Sequence, residues 1–334
     1  MSVTMTDVAR AANVSVATVG RVLHSNGYVS PEARKRVEEA VAALGYVPNQ
    51  MARTLKSRRS GIIGHYVVPN PNGLYQCINQ SVMDAAQKNG FQLLTIESQP
   101  GCSSDEELIN TFIGLHADGL IITSNPHLPP EIFSRLQAAG IPVVAVERGY
   151  AEYGVDSLVV RDFEGVYHAV KRIAEHGHKR VGLIAMRPFH AVEQQRWRGY
   201  LAAVQDFQLS EQDGLVQIVE SYAPQFGETA MEKLLALPEP PTAVFTTADT
   251  LAAGAMQTLY RHHIRVPDQM SIVGYDNILS QSLSPQIDSV GLVQESIGDT
   301  AVELLIKRME DPHRQPEIRL INTVYVDRNT VRQL

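Results

Sequence analysis

TMTDVARAANVSVATVGRVLHSNGYVS, residues 4–30, holds two helix signatures in fewer than thirty positions. Thr4-x-x-Asp7 reads as a capping box: the threonine side chain accepts from the amide three residues on, and the acid reaches back. It opens a short helix whose apolar side is Val8 with Ala11 and Ala12. Asn13-Val14 ends that helix after barely two turns. Ser15 then caps a second helix, Val16–Leu23, with Val19, Val22 and Leu23 at the spacing of a buried face. So few residues join the two that they must cross sharply, which is helix-turn-helix geometry. Further out, Ser30-Pro31-Glu32 supplies a cap, a first-turn proline and an acid at the positive end of the helix dipole. This third helix is expected to run to Leu44, stop at Gly45 and turn Val37, Val41 and Leu44 inward.

Charge divides the chain at the same place. Residues 1–60 carry nine Lys/Arg against four Asp/Glu, a net of +5, while the whole chain is −7, so residues 61–334 carry −12. A basic module fused to an acidic body points to a polyanion contact confined to one end. At 334 residues the chain is too long for one ordinary core, and 44% hydrophobic with 19% charged residues is globular. No apolar run is long enough to span a bilayer, and no basic-then-apolar leader opens the chain, so a cytoplasmic protein without membrane contact is expected. Cys77 and Cys102 have no metal spacing and read as two unpaired thiols.

The stretch YVPNQMARTLKS, residues 46–57, joins the headpiece in one pattern. Asp7-Val8-Ala9, Val14-Ser15-Val16-Ala17-Thr18-Val19, Arg21-Val22, Val29-Ser30 and Gly45-Tyr46-x-Pro48-Asn49-x-x-Ala52-Arg53-x-Leu55 stand in the order found in the LacI/GalR family of bacterial transcription regulators, which this chain resembles. The resemblance implies that Val16, Ala17 and Arg21 touch base edges in the major groove. Arg21 would fork onto guanine O6 and N7, and the two small apolar side chains suit a thymine methyl. Thr18 and the first amides of its helix would hold phosphates, and Thr4, Ser15 and Asn49 complete the set of contacts outside the minor groove. Residues 48–56 match the family's hinge helix, too short to persist alone in water. It implies pairing across a dimer, with Leu55 wedging into the minor groove at a central CpG step and Ala52 allowing close approach. One departure stands out: Gly20 replaces the usual serine, which costs helix propensity and a hydroxyl.

Beyond residue 61 the period changes. Short apolar runs at 62–68, 92–97, 119–123, 143–147, 181–185, 216–219, 243–246 and 271–275 alternate with amphipathic segments at 77–89, 104–115, 130–139, 163–176 and 229–237. That alternation indicates α/β structure, and so many strands need two parallel sheets. GLHADGLIITS, AAGIPVVAVER, EHGHKRVGLIA, RWRGYLAAVQDFQL and VPDQMSIVGYDN resemble the family's effector domain, which implies the fold of periplasmic sugar-binding proteins. The expected plan is therefore an α/β chain in three parts. A helix-turn-helix domain spans 1–46, a hinge helix and linker 47–61, and a two-lobe effector and dimerisation domain 62–334. The N-lobe takes about 62–161 plus 293–321, and the C-lobe about 162–292 plus 322–334.

Carried over position by position, the resemblance puts Tyr75, Glu147, Arg196, Tyr222, Asp249 and Asp276 in the effector pocket. Carboxylates and a guanidinium can each hold adjacent hydroxyls, while aromatic rings stack on a sugar face. Glu147 stands where many relatives have Asp, and Ala248 where many have Asn, so the ligand differs from theirs. Arg187 and His190 would favour an anionic effector if they face the cleft, and otherwise lie on the surface.

The expected function is a sequence-specific repressor of carbohydrate catabolism genes. It answers to a sugar, sugar phosphate or sugar acid and binds a pseudo-palindromic operator as a homodimer. Control by a nucleoside or purine, or a co-repressor arrangement, is the alternative. No phosphate loop, nucleophile elbow or metal spacing supports an enzyme, and no cofactor is implied. A stand-alone sugar-transport protein would have no use for the first sixty residues. NTVYVDRNTVRQL at 322–334 carries no leucine heptad, so a dimer rather than a tetramer is expected.

Overall fold

The computed structural model describes residues 3–23, 27–46, 59–68, 73–98, 105–123, 128–188, 191–292 and 295–334. The chain divides into two units, Met1–Ser60 and Gly61–Leu334.

In the small unit the three helices are α1 (Met5–Ala11), α2 (Val16–Leu23) and α3 (Pro31–Leu44). Thr4 and Asp7 form the capping box in both directions. The amide of Thr18 donates to Ser15 Oγ at 3.1 Å, and that of Ala33 to Ser30 Oγ at 3.2 Å. Asn13 turns the chain with a φ of 51°, and Gly45 ends α3 in the left-handed region at 59°. Val8, Ala9, Ala12, Val19, Val22, Val37, Ala40 and Tyr46 make the core. Two expected core residues are absent from it. Ala11 is exposed, its place taken by Ala9, two positions earlier on α1. Leu44 is 37% exposed because the chain reverses at Gly45. The amide of Tyr46 then returns to Val41 O at 3.0 Å, and the Tyr46 side chain fills the space instead.

The large unit opens with β1 (Ile62–Val67), α4 (Leu74–Lys88), β2 (Gln92–Glu97), α5 (Asp105–Gly114), β3 (Gly119–Thr123), α6 (Pro130–Ala138), β4 (Val143–Val146) and β5 (Asp156–Val160). Next come α7 (Asp162–Glu175), β6 (Val181–Met186), α8 (Ala191–Asp206), β7 (Val216–Val219), α9 (Pro224–Leu235), β8 (Ala243–Thr246), α10 (Asp249–Arg261), β9 (Ser271–Asp276) and β10 (Asp288–Leu292). It closes with α11 (Glu295–Glu310), β11 (Ile318–Ile321) and β12 (Thr323–Val326). The first sheet has the order β11-β5-β4-β3-β1-β2 and the second β12-β10-β9-β8-β6-β7. The first is parallel throughout. The second is parallel except for its edge, where β12 runs antiparallel to β10. The chain changes sheets after Val160, between Leu292 and Glu295, and between Ile321 and Thr323.

Apolar cores line both faces of each sheet, as buried parallel strands require. Ile63, Ile78, Ile121, Val144 and Leu305 meet on one face of the first sheet, and Tyr66, Phe112, Leu120 and Phe133 on the other. Val170, Leu183, Phe245 and Val273 fill one side of the second sheet, and Met231, Val244, Leu251 and Ile272 the other. Helices α9 and α10 approach so closely that a Cβ on Gly254 would lie 1.9 Å from the Pro224 carbonyl oxygen.

Four strands lie outside the apolar runs visible in the sequence. Both β5 and β10 begin with Asp-Ser, polar residues that are nonetheless fully buried. Asp156 accepts from Arg308 Nε and Nη2, each at 2.9 Å, and Asp288 from the amides of Arg328 and Thr330 at 2.8 and 2.9 Å. The edge strands β11 and β12 leave Ile318, Leu320 and Val324 about half exposed.

Candidate DNA-contact helix and effector site

Helix α2 buries Val19 and Val22 and turns Val16, Ala17 and Arg21 outward. Val16 is 43% exposed although apolar, so the core makes little use of it. Ser15 and Thr18 join hydroxyls at 2.9 Å beside the helix start, where free amides and the dipole favour a phosphate. The Thr4 hydroxyl bonds Asp7 Oδ2 at 2.6 Å, so its first role is to cap α1. Asn49, Ala52 and Leu55 lie outside the described residues.

In the large unit the candidates stand at the carboxyl ends of the strands, where open α/β sheets bind ligands. Arg196, on α8, is buried. Its Nε donates to Asp162 Oδ1 at 2.8 Å, Nη1 to the Thr247 carbonyl at 2.7 Å and Nη2 to Asp276 Oδ1 at 3.4 Å. The guanidinium carbon lies 4.0 Å from the centroid of the Tyr275 ring, whose hydroxyl donates to Asp162 Oδ1 at 2.8 Å. Burial alone would lower the Arg196 pKa, but Asp162 and Asp276 outweigh it and hold the group well above its ordinary value. Burial pushes the Tyr222 hydroxyl up, and Glu193 and Asp276 add to the rise against Arg196, so it stays a donor. It donates to Glu193 Oε1 at 3.1 Å.

Glu147 follows β4 and Asp276 ends β9. Both are buried and hold positive φ, 75° and 95°. Such backbone is costly for side chains with a Cβ and collects at functional sites. Tyr75 is half-buried on α4 and packs against the first sheet's core.

Asp249 has a different employment from the one expected of it. Its Oδ2 accepts the amides of Ile278, Leu279 and Ser280 at 2.8, 3.0 and 2.9 Å, and its Oδ1 the Ser289 hydroxyl at 2.7 Å. With four donors on two oxygens, the carboxylate is spent on the loop after β9. Ile278 of that loop packs against the first sheet's core, so Asp249 holds a contact between the two sheets' domains. Arg187 pairs with Glu220, Nε lying 2.9 and 3.1 Å from its two oxygens, and both side chains are exposed. His190 lies outside the described residues. Sequence reasoning missed Asp162, Tyr275 and Glu193. Glu193 stands three positions before Arg196, the same-face spacing of a helix, which could have signalled it.

Residues 4–49 match the model of bacterial regulatory proteins of the lacI family, and residues 170–331 that of a periplasmic binding protein-like domain. The ribose operon repressor of Haemophilus influenzae is 30% identical over 99% of both chains. The chain belongs to the lacI family. The PurR repressor of Aliivibrio salmonicida is 28% identical to this lacI-family regulator, again over 99% of each. The solved complex of the transcriptional regulator CelR with cellobiose is 28% identical, covers 98% of this chain and 99% of its own, and superposes with a TM-score of 0.73. The lac repressor dimer on its operator shares the fold, with a TM-score of 0.86 at 23% identity over 99% and 100% of the two chains. As a lacI-family member this chain is a DNA-binding transcriptional regulator. Among the described residues no helix is long and apolar enough to cross a membrane.

Proposed function

We propose that this regulator represses genes of carbohydrate use and is controlled by a sugar-derived effector bound between the two lobes. The Arg196 cluster carries the reading: a buried guanidinium braced by Asp162, Asp276 and the Thr247 carbonyl, beside the Tyr222–Glu193 pair. Tyr75 and Glu147, from the first sheet's domain, are the proposed stacking ring and hydroxyl acceptor. The cellobiose complex and the ribose operon repressor among its relatives support a sugar ligand.

A ligand gripping both domains changes their angle, and the hinge segments pass that change to DNA. One recognition helix reads one half-site, so two copies of the chain bind a pseudo-palindrome. Val16, Ala17 and Arg21 would read bases, with Thr4, Ser15, Thr18 and Asn49 at the backbone. Leu55 and Ala52 would enter the minor groove at a central CpG step.

Thermal shift of the purified full-length chain against sugars, sugar phosphates, sugar acids, nucleosides and purines tests the reading. A ligand at about 100 times its dissociation constant adds about 2.7 kcal/mol, a few degrees in melting temperature. A sugar that raises the melting point and alters operator affinity is the expected result. A hit confined to purines or nucleosides would replace the sugar.

A further inference from the structure

The effector site spends its positive charge on itself. Arg196 is clasped by two carboxylates, Asp162 and Asp276, which are 3% and 0% exposed. That trio is a net negative centre in a poorly screened interior, where a second anion meets repulsion rather than a partner. Three of the five guanidinium N–H groups are already engaged, leaving room for neutral acceptors but not for a fully paired phosphate.

Glu193 adds to the imbalance. While Oε1 takes the Tyr222 hydroxyl, Oε2 is enclosed and has no hydrogen-bond partner among the described residues. A buried carboxylate oxygen left without a donor is costly, and a ligand hydroxyl would relieve it. Two other arginines near the strand ends are matched by acids, Arg187 pairing with Glu220 and Arg161 lying 3.1 Å from Glu164. Arg148 covers the Tyr150 ring at 4.8 Å, and Arg328 donates to Asn277 Oδ1 at 2.6 Å and the Ile287 carbonyl at 2.8 Å.

We infer that the effector is an uncharged polyol donating a hydroxyl to Glu193, and that the site rejects the phosphate esters and acids of the same sugars. The inference rests on the effector site proposed above and narrows its ligand class. Asp162 is then a positioning residue: it fixes the Arg196 plane and the Tyr275 ring without reaching the ligand.

Calorimetry on the full-length chain at pH 8, where free imidazoles are neutral, separates the possibilities. The probes are D-ribose, D-glucose and cellobiose beside ribose 5-phosphate, glucose 6-phosphate and gluconate. A neutral sugar should bind, with its charged derivative about 100-fold weaker. Parity, or tighter binding of a phosphate or acid, overturns the charge inference while leaving a sugar regulator intact. Silence from all six removes the sugar reading and this inference with it. In Glu193→Gln the neutral sugar should bind about tenfold more weakly. The ratio of anion to neutral affinity should rise by about the same factor. An unmoved ratio would make Glu193 a packing residue.

Discussion

The two units treat their candidate functional side chains in opposite ways. In the small one Val16, Ala17 and Arg21 stand in solvent on a helix whose far side, Val19 and Val22, makes the core. In the large one Arg196, Asp162 and Asp276 are as deeply buried as the leucines around them. A reading surface for DNA can be separated from the fold that carries it, because a rigid helix needs only one of its faces for packing. A buried ionic cluster such as Arg196, Asp162 and Asp276 cannot, since its charged groups must be desolvated and braced against one another, and the brace is part of the core.

The strongest challenge to this contrast is Arg196→Met. It leaves Asp162 and Asp276 buried without their cation and should cost about 3–5 kcal/mol, read as a lower urea midpoint at constant slope. An unmoved midpoint would mean that the cluster serves ligand alone and the two units are less different than they look. Next comes His65, fully buried between Asn79 Oδ1 at 2.9 Å and Thr123 Oγ1 at 2.8 Å. Burial holds its imidazole down to about 4. The folded value lies below the unfolded one, so the stability is whole above about pH 6.5 and drains away as pH falls toward 4, by about 3 kcal/mol. Melting curves of His65→Gln should flatten over that window, and a pH dependence equal to the parent's would assign the loss to other groups.

On the exposed side the effects move from stability to recognition. Arg21→Ala should cost about 1–3 kcal/mol of discrimination at one base pair per half-site, with the melting temperature nearly unchanged. Competition between single-base operator variants measures the first, and a large stability loss would show that Arg21 belongs to the fold. Smallest is Gly20→Ala. A Cβ there meets Met5 Cε at an ordinary 3.6 Å, so replacing a helix glycine should stabilise α2 by up to about 1 kcal/mol. Slower amide exchange over residues 16–23 would register it.

Legibility in the sequence follows the same division. The headpiece is written in local signals: Thr4 with Asp7, Ser15 with Thr18, Ser30 with Pro31, and the left-handed Gly45 each act within four residues. Its two misreadings, Ala11 and Leu44, fall at helix ends, where a face is cut short. In the body, continuous apolar runs announced eight strands. Strands β5 and β10 stayed hidden because Asp156 and Asp288 are charged residues buried by distant partners, Arg308 being 152 positions away. Asp249 and Asp276 look alike in sequence, each an acid at a strand's carboxyl end. One caps a loop with four donors, the other faces Arg196. Nothing local distinguishes them, because the loop amides and the guanidinium that decide between them are placed by tertiary structure.

The crossings between sheets also order events in time. Residues 318–326 supply β11 to the first sheet and β12 to the second, so each sheet waits for one of the last two strands to be made. Translation at about 5–20 residues per second puts roughly 15–50 seconds between emergence of the three-helix unit and completion of the last strands. During that interval a nascent chain holds a finished three-helix unit and an unfinished large unit. Any attraction to DNA is then supplied by the basic head alone, before either sheet of the large unit is complete.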